Sequence, residues 1–549
     1  VRHRRSTGTP AAGENGMTEK DIDPVRLEVI KNRLTSLTEE MGAVLMRTAF
    51  SPNIKERRDF SCALFDRQGS MIAQAAHIPV HLGAMPLAVE AAREAGKLLP
   101  GDMVMVNDPY RGGTHLPDIT LVAPMFVSDS AEADFFLANR AHHADVGGMS
   151  AGSLPLSTEI FQEGLRIPPV RIVKSGVIDE DILELFLANV RTPVERRGDL
   201  MAQVAANRVG AERLGEVIAK YGLSQMQHYS RALLDYAERM MRQVISDIPD
   251  GRYRFTDYLD DDGAEEEDIA IRCDIDIDGN RAEIDLSQSD PQVSGCINAV
   301  RAITLSAVSY VFRLLAPEDS PHNAGSMRPL KVRTKPGTVV DCTFPAAVAG
   351  GNVETSQRIV DVLLGALAEA LPQQIPAASC GTMNNVIIGG SDPGGAGMFA
   401  YYETIAGGMG GAPQGPGASG LQSHMTNTLN TPVESLENAY PLRIRRYQLR
   451  RGSGGSGRHP GGEGILREVE LLGPARITLI TERRRRSPYG LQGGGDGATG
   501  CNRLIRRDRE EKLPGKCSFG GQKGDRLIIE TPGGGGWGET SSQPGSAEE

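Results

Sequence analysis

Apolar residues at Leu27, Ile30, Leu34, Leu37, Met41 and Leu45 recur three and four apart, which marks one face of an amphipathic helix. Asp23 and Pro24 supply its N-cap and first turn, and Ser51-Pro52 ends it. The period then shortens to two. Phe60, Cys62 and Leu64 alternate, then Met71 and Ala73, with Asp66-Arg67-Gln68-Gly69 as the turn, so a hairpin is expected. A short helix follows from Pro86 to Gly96. Two strand-length segments, LVAPMFV and DFFLANR, then flank a short turn. Helical periodicity returns over about 179–190, 199–221 and 224–246, with breaks at Thr192-Pro193, Gly222 and Pro249-Asp250-Gly251. From Arg252 the pattern is β-rich, with a hairpin turn at Asp278-Gly279-Asn280. A helix is expected over 299–315, then a strand, a Gly-Gly turn and another helix by about 371.

These elements predict an α+β, multi-domain chain of mixed β-sheets with a helical middle and a Gly-rich β C-terminal region. The expected segments are a disordered extension (1–20), an N-terminal α/β region (21–165) and a helical region (166–250). An α+β region with polar, Gly-rich loops (251–440), a β-rich region (441–538) and a tail (539–549) follow. The acidic run DDDGAEEED (260–268) lacks the spacing of an EF-hand and reads as a solvated turn.

Composition narrows the class. The chain has 549 residues, too many for one core. With 65 glycines and 5% aromatic residues it reads as globular and rich in tight turns. A net charge of −11 argues against nucleic acid or an acidic membrane as partner. The seven scattered cysteines form no CxxC pair, which fits a reduced, cytoplasmic setting. No apolar run approaches the roughly 18 residues of a membrane span. The first sixteen residues have no hydrophobic core and are not a secretory signal.

The candidate chemistry is concentrated between Asn107 and Asp145. NDPYRGGTHLPD places His115 and Asp118 three residues apart, and NRAHHADVGG adds His142, His143 and Asp145 one hairpin later. Imidazole plus carboxylate is the ligand set of Mn²⁺, Zn²⁺ or Fe²⁺. Gly112-Gly113 and Gly147-Gly148 supply the backbone freedom that loops around an ion need. The alternative is two polar turns whose side chains hydrogen-bond their own backbone. Further on, CGTMNN and HMTNTLNTPVESLE form a long polar stretch of the kind that is ordered around something polar. GGGGWG near the end is not a phosphate loop, because no GKS or GKT follows it.

The segments RTAFSPNIKERRDFSCALFD, VNDPYRGGTHLPDITL, NRAHHADVGG, DPQVSGCINAV, GGNVETSQRIVD, HMTNTLNTPVESLE and TPGGGGWG together resemble the hydantoinase B family. The resemblance runs in order over about 24–538. Members are B-type subunits of ATP-dependent N-methylhydantoinases and related lactam hydrolases, the second half of 5-oxoprolinases, and a subunit of acetone and acetophenone carboxylases. The resemblance implies a hydantoinase A-type partner with an actin-like ATPase fold, in a hetero-oligomer such as α2β2. The partner would phosphorylate a small cyclic amide, and this chain would complete its hydrolysis at a divalent metal. The alternatives are a ketone carboxylase subunit and, from another class, a scaffold with a structural metal. Carried over residue by residue, His115 and Asp118 match the HxxD ligand pair, His143 the later ligand and Asp59 a fourth. His142 or Asp145 would take the proton, and Asn385, His424, Asn427 and Glu434 would orient the substrate. The sequence holds neither a Walker A motif nor a DxGxT phosphate loop, so ATP would be consumed at the partner.

Overall fold

The computed structural model describes residues 22–540, apart from residues 76, 82, 392–394, 396 and 508. The expected extension (1–20) and residues 541–549 of the expected tail lie outside these.

The front of the molecule is a seven-stranded antiparallel sheet. Its strands are β1 (Phe60–Asp66), β2 (Met71–Gln74), β3 (Met103–Val106), β4 (Asp118–Met125), β5 (Phe135–His142), β6 (Val170–Lys174) and β7 (Val177–Ile178). Their order is β2-β1-β5-β4-β3-β6-β7. Both faces are covered. Leu64, Leu121 and Leu137 join the larger core, where helices Pro24–Thr48 and Pro193–Tyr221 pack together. Ala63, Val122, Phe136 and Ala138 face Met85 and Val89 of helix Met85–Glu94. The first helix begins as expected, with the Asp23 carboxylate accepting from the Val25 amide at 3.0 Å. The helix expected from about 199 begins at Pro193 instead. Proline has no N–H to donate, but the first turn has no acceptor for one, so Thr192-Pro193 starts this helix rather than breaking the chain.

Behind this sheet, strands Gly251–Asp261, Glu267–Asp278, Arg281–Asp285 and Leu330–Arg333 form a second sheet, whose last pair is parallel. Helix Ser356–Ala370 lies against it. The acidic turn is less solvated than expected. Asp260 and Asp262 are buried and accept backbone amides, including those of Arg484 and Gly295.

Two antiparallel sheets form the rear. One runs Met398–Thr404, Asn385–Ser391, Ala475–Ile480, Lys516–Gly521, and the other Leu442–Arg450, Gly464–Leu471, Arg526–Glu530, Cys501–Arg506, Arg509–Leu513. Ile388, Tyr401 and Ile477 of the first share a core with Leu442, Val469 and Ile529 of the second, so the pair is a sandwich. At its end, extended glycine segments 408–411, 455–462, 490–497 and 533–538 cross-link by backbone hydrogen bonds. Gly534 N donates to Gly462 O at 2.9 Å, and Gly411 N to Gly535 O at 2.8 Å. The backbones are so close that a Cβ on Gly408 would lie 1.9 Å from Gly462 O, and one on Gly534 2.0 Å from Met409 O. The molecule is thus α+β. Among the described residues no helix is long and apolar enough to cross a membrane.

Candidate metal centre

The two histidine-bearing loops meet at one end of the β4–β5 ladder, where Asp118 pairs in register with His142. Side chains alternate along a strand, so Asp118, Thr120 and Val122 share one face of β4, and Ala138, Arg140 and His142 share the same face of β5. The next residue, His143, falls on the opposite, helix-covered face. Its Nε2 lies 2.9 Å from Gln203 Oε1, and its ring meets Phe186 edge-on at 6.2 Å. This corrects the expectation for the histidine pair. The period of two sends His142 to the centre and His143 away from it.

Asp118 is the hub. His115 Nε2 and His142 Nδ1 each lie 3.1 Å from its Oδ1. Its Oδ2 accepts from Thr114 Oγ1 at 2.8 Å and lies 3.3 Å from His81 Nε2. His81 comes from the short turn Pro79–His81, and its Nδ1 is 2.9 Å from Ser61 Oγ. The set is sealed from solvent, with His115 at 0%, Asp118 at 1% and His142 at 2% exposure. Asn352 approaches from a different part of the chain. It sits on a π-turn, Gly351–Thr355, immediately before helix Ser356–Ala370, a distortion common at functional sites. Residue 351 must be glycine, since a Cβ there would lie 1.9 Å from Asn298 O.

Burial opposes ionisation of Asp118, but the facing imidazoles of His115, His142 and His81 hold its carboxyl well below the usual carboxylate range. Burial also lowers the pKa of His142, which keeps the imidazole neutral with a free lone pair. Ligand atoms of His115, Asp118 and His142 all lie within 4.8 Å of one another. His115 Nδ1 and His142 Nε2 have no hydrogen-bond partner. Two imidazole nitrogens and one carboxylate oxygen converging in a dry site fit a divalent cation.

Tyr402 backs the centre, its ring stacked on His142 at 4.7 Å and 21°. The Arg57 guanidinium lies 4.8 Å from the same ring. Tyr402 OH donates to Asn385 Oδ1 at 2.9 Å, and Asn385 Nδ2 donates to Glu354 Oε1 at 2.6 Å. Asn385 therefore reaches the centre through Tyr402. Asp59 adjoins it through its backbone, whose carbonyl accepts from His142 N at 3.0 Å. Its carboxylate stands 3.9 Å from Arg57.

The other expected residues lie differently. The Asp145 carboxylate is committed to Arg191 Nη1 at 2.8 Å and to the amides of Gly147, Gly152 and Arg191. It shapes its own loop and has no free oxygen lone pair poised for a proton, which corrects its expected role as base. His424 is turned to Tyr310 OH at 3.5 Å and Asp361 at 3.9 Å. Asn427 is exposed and donates to His77 O at 3.1 Å. Glu434 is exposed on helix Val433–Ala439. Sequence reading assigned no role to His81, Asn352 or Glu163. Glu163 is buried and accepts from Ser157 and from the amides of Val348 and Ala349, and burial pushes its carboxyl up to about 7. Its one local signal is a lone acid amid Ile160 and Ile167.

Residues 23–540 match the family described as Hydantoinase B/oxoprolinase. The chain is 39% identical to 5-oxoprolinase 1 of Arabidopsis thaliana over 96% of its own length, but spans only 43% of that relative. It is 32% identical to the B-type component of a putative D-/L-hydantoinase of a Pseudomonas species, covering 94% of this chain and 90% of the relative. Among solved structures it resembles an ATP-dependent caprolactamase from Pseudomonas jessenii, with a TM-score of 0.88 and 30% identity, over 94% of this chain and 92% of that one.

Proposed function

Because this chain belongs to the Hydantoinase B/oxoprolinase family, we propose that it is the B-type component of an ATP-dependent cyclic amide hydrolase. His115, Asp118 and His142 hold its divalent cation, Mn²⁺, Zn²⁺ or Fe²⁺. The observation that carries this reading is the convergence of His115 Nε2 and His142 Nδ1 on a single oxygen of buried Asp118. A cation held there supplies a Lewis acid and a bound water of much lowered pKa, about 7 in zinc hydrolases.

The chain's own residues prepare that site. Thr114 and His81 engage Asp118 Oδ2 and so leave Oδ1 to the ligand side. Tyr402, held by Asn385, fixes the His142 ring against rotation. Burial keeps His142 neutral and excludes bulk water, which strengthens every charge interaction inside. His142 thus serves as ligand rather than base.

A lactam or hydantoin carbonyl is resonance-stabilised and a poor electrophile, and phosphorylating its oxygen gives an activated imidate. The sequence carries no phosphate loop for that step, so we assign it to a hydantoinase A-type partner. The names of the Pseudomonas hydantoinase component and the caprolactamase support a partnered, ATP-dependent hydrolysis over carboxylation. The test is to co-express the chain with the A-type partner and follow ATP turnover with hydantoins, 5-oxoproline, lactams, and ketones plus bicarbonate. Turnover with a cyclic amide, absent when either chain is omitted, is expected. ATP hydrolysis stimulated only by a ketone with bicarbonate would overturn the reading.

A further inference from the structure

We propose that Asn352 is a fourth protein donor of the metal centre, its side-chain oxygen turning toward the cation when the cation binds. The inference rests on the cation reading above and adds to it a residue 237 positions from His115 in the chain.

Asn352 is 4% exposed, and its side chain faces the centre. Nδ2 stands 3.0 Å from His115 Nε2 and 3.5 Å from Asp118 Oδ2. These are the ligand nitrogen of one residue and the carboxylate of another. Oδ1, on the other side of the same amide, is buried with no partner. A buried carbonyl oxygen left without a donor is rare and calls for an explanation. Without a cation the amide nitrogen lies against His115 Nε2 and the Asp118 carboxylate. A cation seated between these groups would displace that N–H and repel it. The carbamoyl group has nearly the same shape after a half-turn about its last torsion, which exchanges oxygen and nitrogen. The half-turn brings Oδ1 to the place Nδ2 now holds, beside His115 Nε2 and Asp118, and satisfies the stranded oxygen. Amide carbonyls are suitable ligands for Mn²⁺ and related cations.

The π-turn accounts for the placement. Its additional residue swings Asn352 out of the helical path of Ser356–Ala370, while Ser356 Oγ bonds back to Asn352 O at 2.7 Å and fixes the backbone.

The experiment is Mn²⁺ titration of the metal-stripped full chain, free Mn²⁺ being read by EPR and the Mn²⁺-induced rise in Tm by calorimetry. Asn352→Ala is expected to weaken Mn²⁺ binding by about 10- to 100-fold. Asn352→Asp has the same shape and an anionic oxygen. It is expected to bind at least as tightly as the native chain and to show a larger Mn²⁺-induced rise in Tm. Native affinity in Asn352→Ala overturns the inference and leaves the metal centre standing. Equal weakening in the Ala and Asp variants, with unchanged apo Tm, also overturns it, because the contribution is then the N–H bond to His115. A native chain that takes up no Mn²⁺, and whose Tm is not raised by Zn²⁺ or Fe²⁺ either, overturns the metal reading and this inference together.

Discussion

The histidine–aspartate centre and the arginine–carboxylate lattice behind it are both buried and polar, yet they close their charges in opposite ways. In the lattice, Arg483 Nη2 lies 2.6 Å from Asp257 and 2.7 Å from Asp361, and Arg358 Nη1 lies 2.9 Å from Asp257. Lys516 meets Glu482 at 2.5 Å. Cations and anions from strand Gly251–Asp261, helix Ser356–Ala370 and the chain after Ile480 answer one another directly. Burial works against Arg483, but Asp257 and Asp361 more than offset it and push its pKa up. In the histidine centre one carboxylate faces three imidazoles, and atoms on His115, His142 and Asn352 remain without partners. Matched ion pairs join regions of a fold. Unpartnered atoms occur in both places, at Arg358 Nε, Arg483 Nε and Asp361 Oδ1 as well, so it is the convergence of three imidazoles on one carboxylate that marks a place where something else completes the set.

The contrast breaks most decisively at Asp118. Asp118→Asn is expected to lower metal content and substrate-dependent ATP turnover by roughly a hundredfold or more. The apo Tm should fall, because the folded chain stabilises the ionised Asp118 against its facing imidazoles. Metal analysis and a coupled ATPase assay decide it, and full metal occupancy would place the site elsewhere. Next in size is Arg483→Met, which takes from buried Asp361 its near partner and leaves Asp257 with Arg358 alone, and should cost about 3–5 kcal/mol in urea unfolding. The metal content of the folded fraction should not change. If it falls too, the two centres are not independent.

A smaller effect concerns Glu354, which links the π-turn to Asn385. Burial, and then the charge of Glu482, push its carboxyl from 4.5 up to about 8. The folded chain keeps a proton that the unfolded chain releases above pH 4.5. The stability from this group is therefore full below about pH 4.5 and is lost as pH rises to about 8. Glu354→Gln keeps the acceptor for Asn385 and never ionises. Its loss of stability between pH 5 and 8 should be shallower than the native chain's by roughly 3–4 kcal/mol, and parallel Tm–pH curves would show that Glu354 is already charged. The smallest effect is expected at Glu434. Exposed on its short helix, Glu434→Ala should shift stability by less than about 0.5 kcal/mol. Turnover should stay within about twofold of native, and a larger loss would return that helix to the substrate site.

Much of the frame was legible locally. The first helix, the β1–β2 hairpin and the β4–β5 hairpin follow from periodicity and turn residues. That His115 and Asp118 lie together was legible, because a step of three residues can bring two side chains to one place. The choice between His142 and His143 was not. Strand parity decides it, but both faces of the seven-stranded sheet are covered, so Phe135 to Ala138 are apolar at every position and the polar Asn139 and Arg140 fall on opposite faces, which hides the parity. His81 and Asn352 reach Asp118 only through tertiary folding, and no local pattern carries such a contact. The hairpin Asn385–Thr404 lay within a stretch read as polar loops, because Gly389 and Gly390 interrupt its alternation.

The cross-linked glycine segments at the end of the sandwich have a consequence for inheritance. Where Gly408, Gly461 and Gly534 stand, the carbonyl of another segment occupies the space of a first side-chain carbon. Every missense change in a glycine codon adds at least that carbon, so at these positions the genetic code offers no gentle step. Lineages carrying this fold are bound to preserve the lettering there while neighbouring surface positions drift. A saturation-mutagenesis screen would find a run of positions that tolerate nothing, though none of them touches the metal centre.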